Sequence, residues 1–293
     1  MQIREIIKRI DAVQIPNNAT ITQLKHEDDD GLYQVWKIDC GKVSYVLKES
    51  KGDEAEVYQS LLSGLQGGVP VLYQVLTAEN KTYLLTEFVQ GENLCKCDRE
   101  KLRCALNALI ALQKRTWNGQ GFEQTARFYE KSLHQRQNRM QYLKDASLDK
   151  AYEQFLRVYT SLPKALCHDD LLPFNILTTK ERAVLIDWEA GGILPYPTAF
   201  ARLIAFGEQD ENALFYLSKA DREFAIAYYY ENLLKDKGIC YQDWLMALEH
   251  FLFYEYCEWV FVGNKYNATD GEYYQKYLPI AKRQAEKILA SLP

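Results

Sequence analysis

The sequence predicts an α+β fold of two lobes: a small β-rich lobe over residues 1–89 and a large, mainly helical lobe over residues 90–293. Three observations carry this prediction. Alternating, β-branched and aromatic runs fill the first third of the chain. Beyond Gly91 the apolar residues recur at helical spacing with few breakers. Within that helical stretch, two short β-runs at 175–178 and 183–186 are flanked by polar residues. A chain of 293 residues, 47% hydrophobic and 26% charged, is long enough to bury a large core in one domain or two lobes.

The elements follow in order. Ile3, Ile6, Ile7, Ile10 and Val13 give the first thirteen residues an amphipathic helical pattern, with charges throughout. Residues 20–24 and 34–39 read as strands, and Cys40-Gly41-Lys42 turns the chain into a third strand at 43–48. Residues 53–65 start acidic and continue with helically spaced leucines, a helix that Gly67-Gly68 ends. Strands at 71–78 and 82–89 flank the polar turn Glu79-Asn80-Lys81. Helices are expected at 98–115, 123–143, 148–160, 210–236, 241–262 and 271–290. Between Pro163 and Gly192 the expectation is loop, β-run, turn, β-run, loop.

Several function classes drop out. With 35 Lys+Arg against 40 Asp+Glu the net charge is −5, a poor balance for nucleic-acid binding. No run approaches a membrane span, and the N-terminus lacks the apolar core of a secretory leader. Seven cysteines, an odd number without C-x-x-C, read as packed thiols in a cytoplasmic chain; Cys95, Cys97 and Cys104 cluster without a nearby histidine.

The segment His168-Asp169-Asp170-Leu171-Leu172-Pro173-Phe174-Asn175-Ile176-Leu177 carries the chemistry, with Leu185-Ile186-Asp187-Trp188-Glu189 close behind. The pattern H-x-D-x-x-x-x-N is expected by chance roughly 0.01 times at this composition. Phosphoryl transfer from a nucleotide needs a carboxylate beside the acceptor hydroxyl, oxygen ligands for Mg²⁺ and a cation on the phosphates. Asp170 suits the first task, Asn175 and Asp187 the second, and Lys48 the third. An acidic chain that binds a polyanion must concentrate positive charge locally, and Lys48 with Mg²⁺ would supply it.

These motifs resemble those of the aminoglycoside phosphotransferase and choline kinase family, a branch of the protein-kinase-like fold. Its H-G-D or H-N-D, L-x-x-x-N-I-L and I-D-W-E signatures are matched here by HDDLLPFNIL and LIDWEAG. The resemblance implies ATP and Mg²⁺ as cofactors, Asp170 as catalytic base, Asn175 and Asp187 as metal ligands, and His168 as a brace for the loop. It also implies that Lys48 meets the α/β-phosphates, with Glu54 as its helix partner and Glu56 as the alternative. Residues 86–89 resemble the interlobe hinge, where the Glu87 carbonyl and Val89 amide would meet adenine.

Three departures stand out. Asp169 replaces the usual Gly or Asn beside the base. The phosphate-facing loop, residues 26–31, is acidic. The Asp of the family's D-L-A segment has no counterpart in residues 196–201. The first two leave a second reading, a nucleotide-binding module without catalysis. A protein-substrate kinase is disfavoured, because G-x-G-x-x-G and A-P-E segments are missing. For the small-molecule acceptor, Glu255, Glu258 and Trp259 share one helix face, an acidic and aromatic surface suited to a cationic alcohol. The alternative is that these aromatics pack the core while the glutamates meet solvent.

Overall fold

The computed structural model describes residues 3–25, 31–65, 67–119, 122 and 125–291. The acidic run of the phosphate-facing loop, residues 26–30, whose carboxylates are expected to face solvent, lies outside the described residues.

The N-terminal region is an antiparallel sheet of β1 (Thr20–Lys25), β2 (Leu32–Asp39), β3 (Ser44–Glu49), β4 (Leu72–Ala78) and β5 (Lys81–Glu87), in the order β1-β2-β3-β5-β4. Gly41 adopts φ +87 in the β2–β3 turn, where its N–H donates to Asp39 Oδ1 at 2.9 Å. This left-handed position explains the glycine. On one sheet face Ile38, Leu47, Leu76 and Leu85 pack with Ile6 and Ile7 of α1 (Ile3–Ile7). That helix is shorter than the sequence periodicity suggests. Beyond it the N–H groups of Asp11 and Ala12 donate to Gln74 Oε1 at 3.1 and 3.3 Å, drawing the chain along β4.

Between β3 and β4 comes α2 (Glu54–Val57), which widens into a π-helical turn, Tyr58–Leu62. Val57, Tyr58, Leu61 and Leu62 belong to the large core that continues into the helical region. One contiguous apolar core therefore ties the sheet's helix to the domain behind it.

The helical region contains α3 (Arg99–Arg115), α4 (Ala126–Met140), α5 (Ala146–Ser161), α6 (Pro197–Ala205), α7 (Lys219–Tyr229), α8 (Tyr241–Tyr266) and α9 (Glu272–Ala290). Asp98 caps α3 and Asp145 caps α5, each accepting from two backbone N–H groups of the first turn. A short strand, β6 (Glu92–Asn93), pairs with β8 (Ile176–Thr178), which pairs with β9 (Ala183–Leu185). Two more strands, β7 (Lys164–His168) and β10 (Gly191–Pro195), pair antiparallel with His168 opposite Gly191.

Three differences from the sequence expectation have local causes. The segments of β7 and β10, KALCH and GGILP, expected as loop up to Gly192 and unassigned beyond, are short runs buried on both sides at nearly every residue, so no alternation marks them. Helix α6, which the sequence expectation left unassigned, is nine residues long with Arg202 its one charged side chain, too short to display a helical repeat. The helix expected over 210–236 starts only at Lys219, where Ser218 Oγ accepts from Asp221 N–H at 3.1 Å. Upstream of that cap, Lys96 Nζ donates to the Glu211 and Ala213 carbonyls at 2.9 Å, which holds the chain in an open loop. Among the described residues no helix is long and apolar enough to cross a membrane.

Candidate active site

Three pieces of the fold meet at one place: β3, α2 and the loops that flank the β8–β9 hairpin. Lys48 sits in β3, paired with Val35 of β2 and Leu84 of β5, and so is held from both sides. Its Nζ donates to Glu54 Oε1 at 2.7 Å and also pairs with Asp187. Burial works against the charged Lys48, but Glu54 and Asp187 outweigh it and raise its pKa. Glu54 is almost fully buried, and its other oxygen, Oε2, has no partner. Burial accordingly raises the Glu54 pKa, with Lys48 pulling the other way. Glu56, the alternative helix partner, pairs with Arg127 of α4 instead.

Asp187 has φ 65 and ψ 59, a left-handed conformation that Asp tolerates better than most residues. The turn throws Trp188 into the core, where its Nε1 donates to the Leu185 carbonyl at 2.7 Å. Gly191 follows where the chain passes under α2: a Cβ there would lie 2.9 Å from both Val57 Cγ1 and Trp188 Cε3. This close approach keeps the helix of Glu54 and the loop of Asp187 in register.

His168 is completely buried against Trp188, and burial lowers its pKa. Its Nε2 lies 2.8 Å from the Ile186 carbonyl, which can only accept, so the ring carries its proton there and Nδ1 is left unpartnered. The histidine thereby ties the loop of Asp170 to the strand leading to Asp187. Asn175 is buried and donates through Nδ2 to the Asp170 carbonyl at 2.9 Å, which turns its amide oxygen the other way. A further tie comes from Ile186 N–H, which donates to the Asn175 carbonyl at 2.9 Å.

Asn175 and Asp187 offer hard oxygen donors, the amide oxygen of one and the Asp187 oxygen not facing Lys48. That donor set fits Mg²⁺, which commonly takes one or two protein oxygens and completes its shell with phosphates and water. Among the described residues no group of three His, Cys, Asp or Glu side chains forms a metal cage.

Two arginines absent from the sequence expectations shape the site. Asp169 forms a two-pronged pair with Arg136 of α4, Nη2 to Oδ1 at 2.5 Å and Nη1 to Oδ2 at 2.9 Å, with Ser132 Oγ adding 3.0 Å. Burial would raise the Asp169 pKa, but Arg136 overrides it and holds the carboxylate below its ordinary value. The extra acid beside Asp170 is thus neutralised within the fold. Asp170, about two-fifths exposed, receives two hydrogen bonds from Arg202 of α6, Nε at 3.0 Å and Nη2 at 2.7 Å, both on Oδ1. Arg202 Nη1 donates to Glu255 Oε2 at 2.9 Å and also pairs with Glu258. The only sequence sign of Arg202 is a lone charge in an otherwise apolar stretch, TAFARLIA.

The remaining expected residues are placed as follows. Glu87 ends β5, and its side chain pairs with Arg182 of the β8–β9 turn. Val89 is buried two residues on. Glu255 is 2% exposed. Trp259 stacks on Tyr273 with ring centroids 4.3 Å apart, its Nε1 buried without a partner.

A β-sheet region carrying a lysine–glutamate pair, set against a helical region that presents H-x-D-x-x-x-x-N, defines a protein-kinase-like fold. The chain belongs to the phosphotransferase enzyme family, whose model matches residues 39–232. Solved structures agree on the architecture. A candidate aminoglycoside phosphotransferase from Ralstonia eutropha JMP134 superposes with a TM-score of 0.65 at 13% identity, covering 99% of this chain and 98% of that one. Choline kinase from Cryptosporidium parvum Iowa II gives a TM-score of 0.64 at 14% identity, with 98% and 96% covered. A thermostable mutant of an aminoglycoside phosphotransferase, in ternary complex with AMP-PNP and hygromycin B, gives 0.58 at 16% identity, with 98% and 97% covered. No curated protein matches the chain in sequence.

Proposed function

We propose that this chain transfers the γ-phosphoryl group of ATP, taken up as its Mg²⁺ complex, to a hydroxyl of a small acceptor molecule. The observation that carries the reading is the junction at Lys48, where a strand lysine meets the helix glutamate Glu54 and the loop aspartate Asp187 at once. Such a bridge buries Glu54 and most of Lys48 and adds little as a structural device, whereas phosphate oxygens arriving there would find a fixed cation. The neighbour solved with AMP-PNP and hygromycin B supports the nucleotide and the class of acceptor.

In this reading Lys48 contacts the α/β-phosphates, Glu54 holds Lys48 in place, and the Glu87 carbonyl and Val89 amide border the adenine. Asn175 and Asp187 hold Mg²⁺, which when bound neutralises the phosphate charge. Asp170 orients the acceptor hydroxyl and receives its proton as the new O–P bond forms and the β–γ bridge bond breaks, a base contribution of about 10²–10⁴ in rate. His168 carries no proton in the reaction; it braces the loop. The acceptor would enter beside α8, near Trp259 and Tyr273.

The test is ADP release from MgATP across a panel of amino-sugars, quaternary amino-alcohols and neutral polyols, together with thermal melts with and without MgATP. Asp170→Ala is expected to abolish release with every acceptor while MgATP still raises the melting temperature. Full activity in that variant would refute the assignment.

A further inference from the structure

We infer that Arg202 is a positioning residue for Asp170, and that Glu255 and Glu258 serve to anchor this arginine rather than to bind a cationic acceptor. The inference deepens the phosphotransfer reading and rests on it for the role of Asp170.

The argument starts from Arg202 itself. Its side chain is 11% exposed, and each of its three nitrogens is engaged: Nε and Nη2 with Asp170, Nη1 with Glu255 and Glu258. An arginine committed at every nitrogen is fixed in position, and a planar guanidinium fixes what it binds in turn. Both bonds to Asp170 fall on Oδ1. Among the described residues Oδ2 receives no hydrogen bond, so it stays available to a hydroxyl. The carboxylate is thereby oriented and left half open, as a base awaiting its substrate should be.

The surroundings exclude the simpler idea that Glu255 and Glu258 form a pocket for an amine. Glu255 is 2% exposed, so an ammonium group could reach it only by expelling Arg202. Glu258 has Arg202 on one oxygen and Arg139 Nη2 3.9 Å from the other. The arginine already occupies the place an acceptor's cation would take. Phe206 lies under the guanidinium, 5.2 Å from carbon to ring centroid, and closes the remaining face. Acceptor recognition is left to hydroxyl contacts at Asp170 and to the aromatic surface of Trp259 and Tyr273.

The two roles predict different kinetics. Arg202→Gln and the double variant Glu255→Gln/Glu258→Gln are compared with the wild-type chain in MgATP hydrolysis with water as acceptor, and with any acceptor found in the panel. Positioning predicts that kcat falls roughly 10²-fold in Arg202→Gln and in the same direction in the double variant. KM for MgATP and for the acceptor should stay within about twofold. An acceptor KM that rises with kcat unchanged, or a kcat unchanged in Arg202→Gln, overturns the inference. Crystal structures of the wild-type chain and Arg202→Gln decide the matter even where turnover is too slow to follow. The Asp170 carboxylate should leave its position in the variant, and an unmoved carboxylate overturns the inference equally. If MgATP fails to stabilise the wild-type chain in a melt, the phosphotransfer reading fails instead, and the structural comparison still judges Arg202.

Discussion

Replacing Asp169 by Ala tests whether the extra acid of the HDD motif is a structural brace. Arg136 is 1% exposed and its Nε already lacks a partner, so removing Asp169 leaves a buried guanidinium without a counterion. Breaking a buried pair from one side costs about 3–5 kcal/mol. Some of that is offset, because the Tyr159 and Tyr254 rings lie 4.7 and 4.6 Å from the Arg136 guanidinium and Ser132 remains. The lower end, about 3 kcal/mol, is therefore expected. Urea unfolding followed by far-UV circular dichroism reads it, with a melting temperature lower by on the order of 10 °C. The pH dependence gives a second check. Arg136 holds the folded-state pKa of Asp169 below the ordinary 3.8, so its stabilisation is fully present above that value and is lost as pH falls through the folded pKa. The gap between wild type and variant should stay constant from about pH 8 to pH 5 and narrow only below 3.8. Adding Arg136→Met should recover much of the loss, since an apolar replacement of a buried pair is often neutral. A cost under about 1 kcal/mol for Asp169→Ala, or no recovery in the double variant, would refute the brace.

Two further outcomes are expected. Lys48→Met removes the partner of buried Glu54 and the cation assigned to the phosphates; turnover should fall by roughly 10²–10³, and MgATP should raise the melting temperature less than in wild type. Unchanged turnover would remove Lys48 from the mechanism. Burial lifts the Glu255 pKa from 4.5 to about 7, with Arg202 opposing and Glu258 and Asp169 adding to the rise. A raised carboxylate pKa means the folded state holds the proton longer, so this group costs stability progressively from about pH 4.5 to 7 and by a constant amount above. Glu255→Gln should therefore gain on wild type by a few kcal/mol between about pH 5 and 8 in urea unfolding. A difference independent of pH would contradict the shift.

What the sequence revealed and what it hid follow one physical division. The sheet strands were legible from their β-branched and aromatic runs, with α1 packed on one face and α2 on the other, and Asp98 and Asp145 announce α3 and α5 as caps. Asp170, Asn175 and Asp187 stood out through the H-x-D-x-x-x-x-N spacing and the Asp ending an apolar run, while Lys48 and Glu54 were singled out by the family resemblance, and the structure joins Lys48 to Glu54 and Asp187. Strands β7 and β10 were not legible, because a segment buried on nearly every side shows no alternation, and α6 at nine residues is too short to display a helical repeat. Arg136 and Arg202 escaped for a different reason. Each acts through a partner more than thirty residues away, and Arg136 sits in a helix, ARFYEKSLHQRQNRM, that already contains two other arginines. Local pattern cannot select the one that turns inward.

Those two arginines also account for the tolerance of Asp169 beside Asp170. Adjacent carboxylates repel, and an acid placed next to the base would disfavour its charged form unless separately neutralised. Here Asp169 and Asp170 are drawn to guanidiniums on different helices, Arg136 of α4 and Arg202 of α6. The loop is thus fixed from two flanks as well as from His168 below. Within α6, Thr198 Oγ1 donates to the Pro195 carbonyl at 2.7 Å at the helix start, and one turn later Arg202 supplies the tie to the loop. Gly at position 169 would strand Arg136, whose side chain is 1% exposed. Asp169→Gly should therefore destabilise the chain in urea unfolding, and adding Arg136→Met should recover much of that loss.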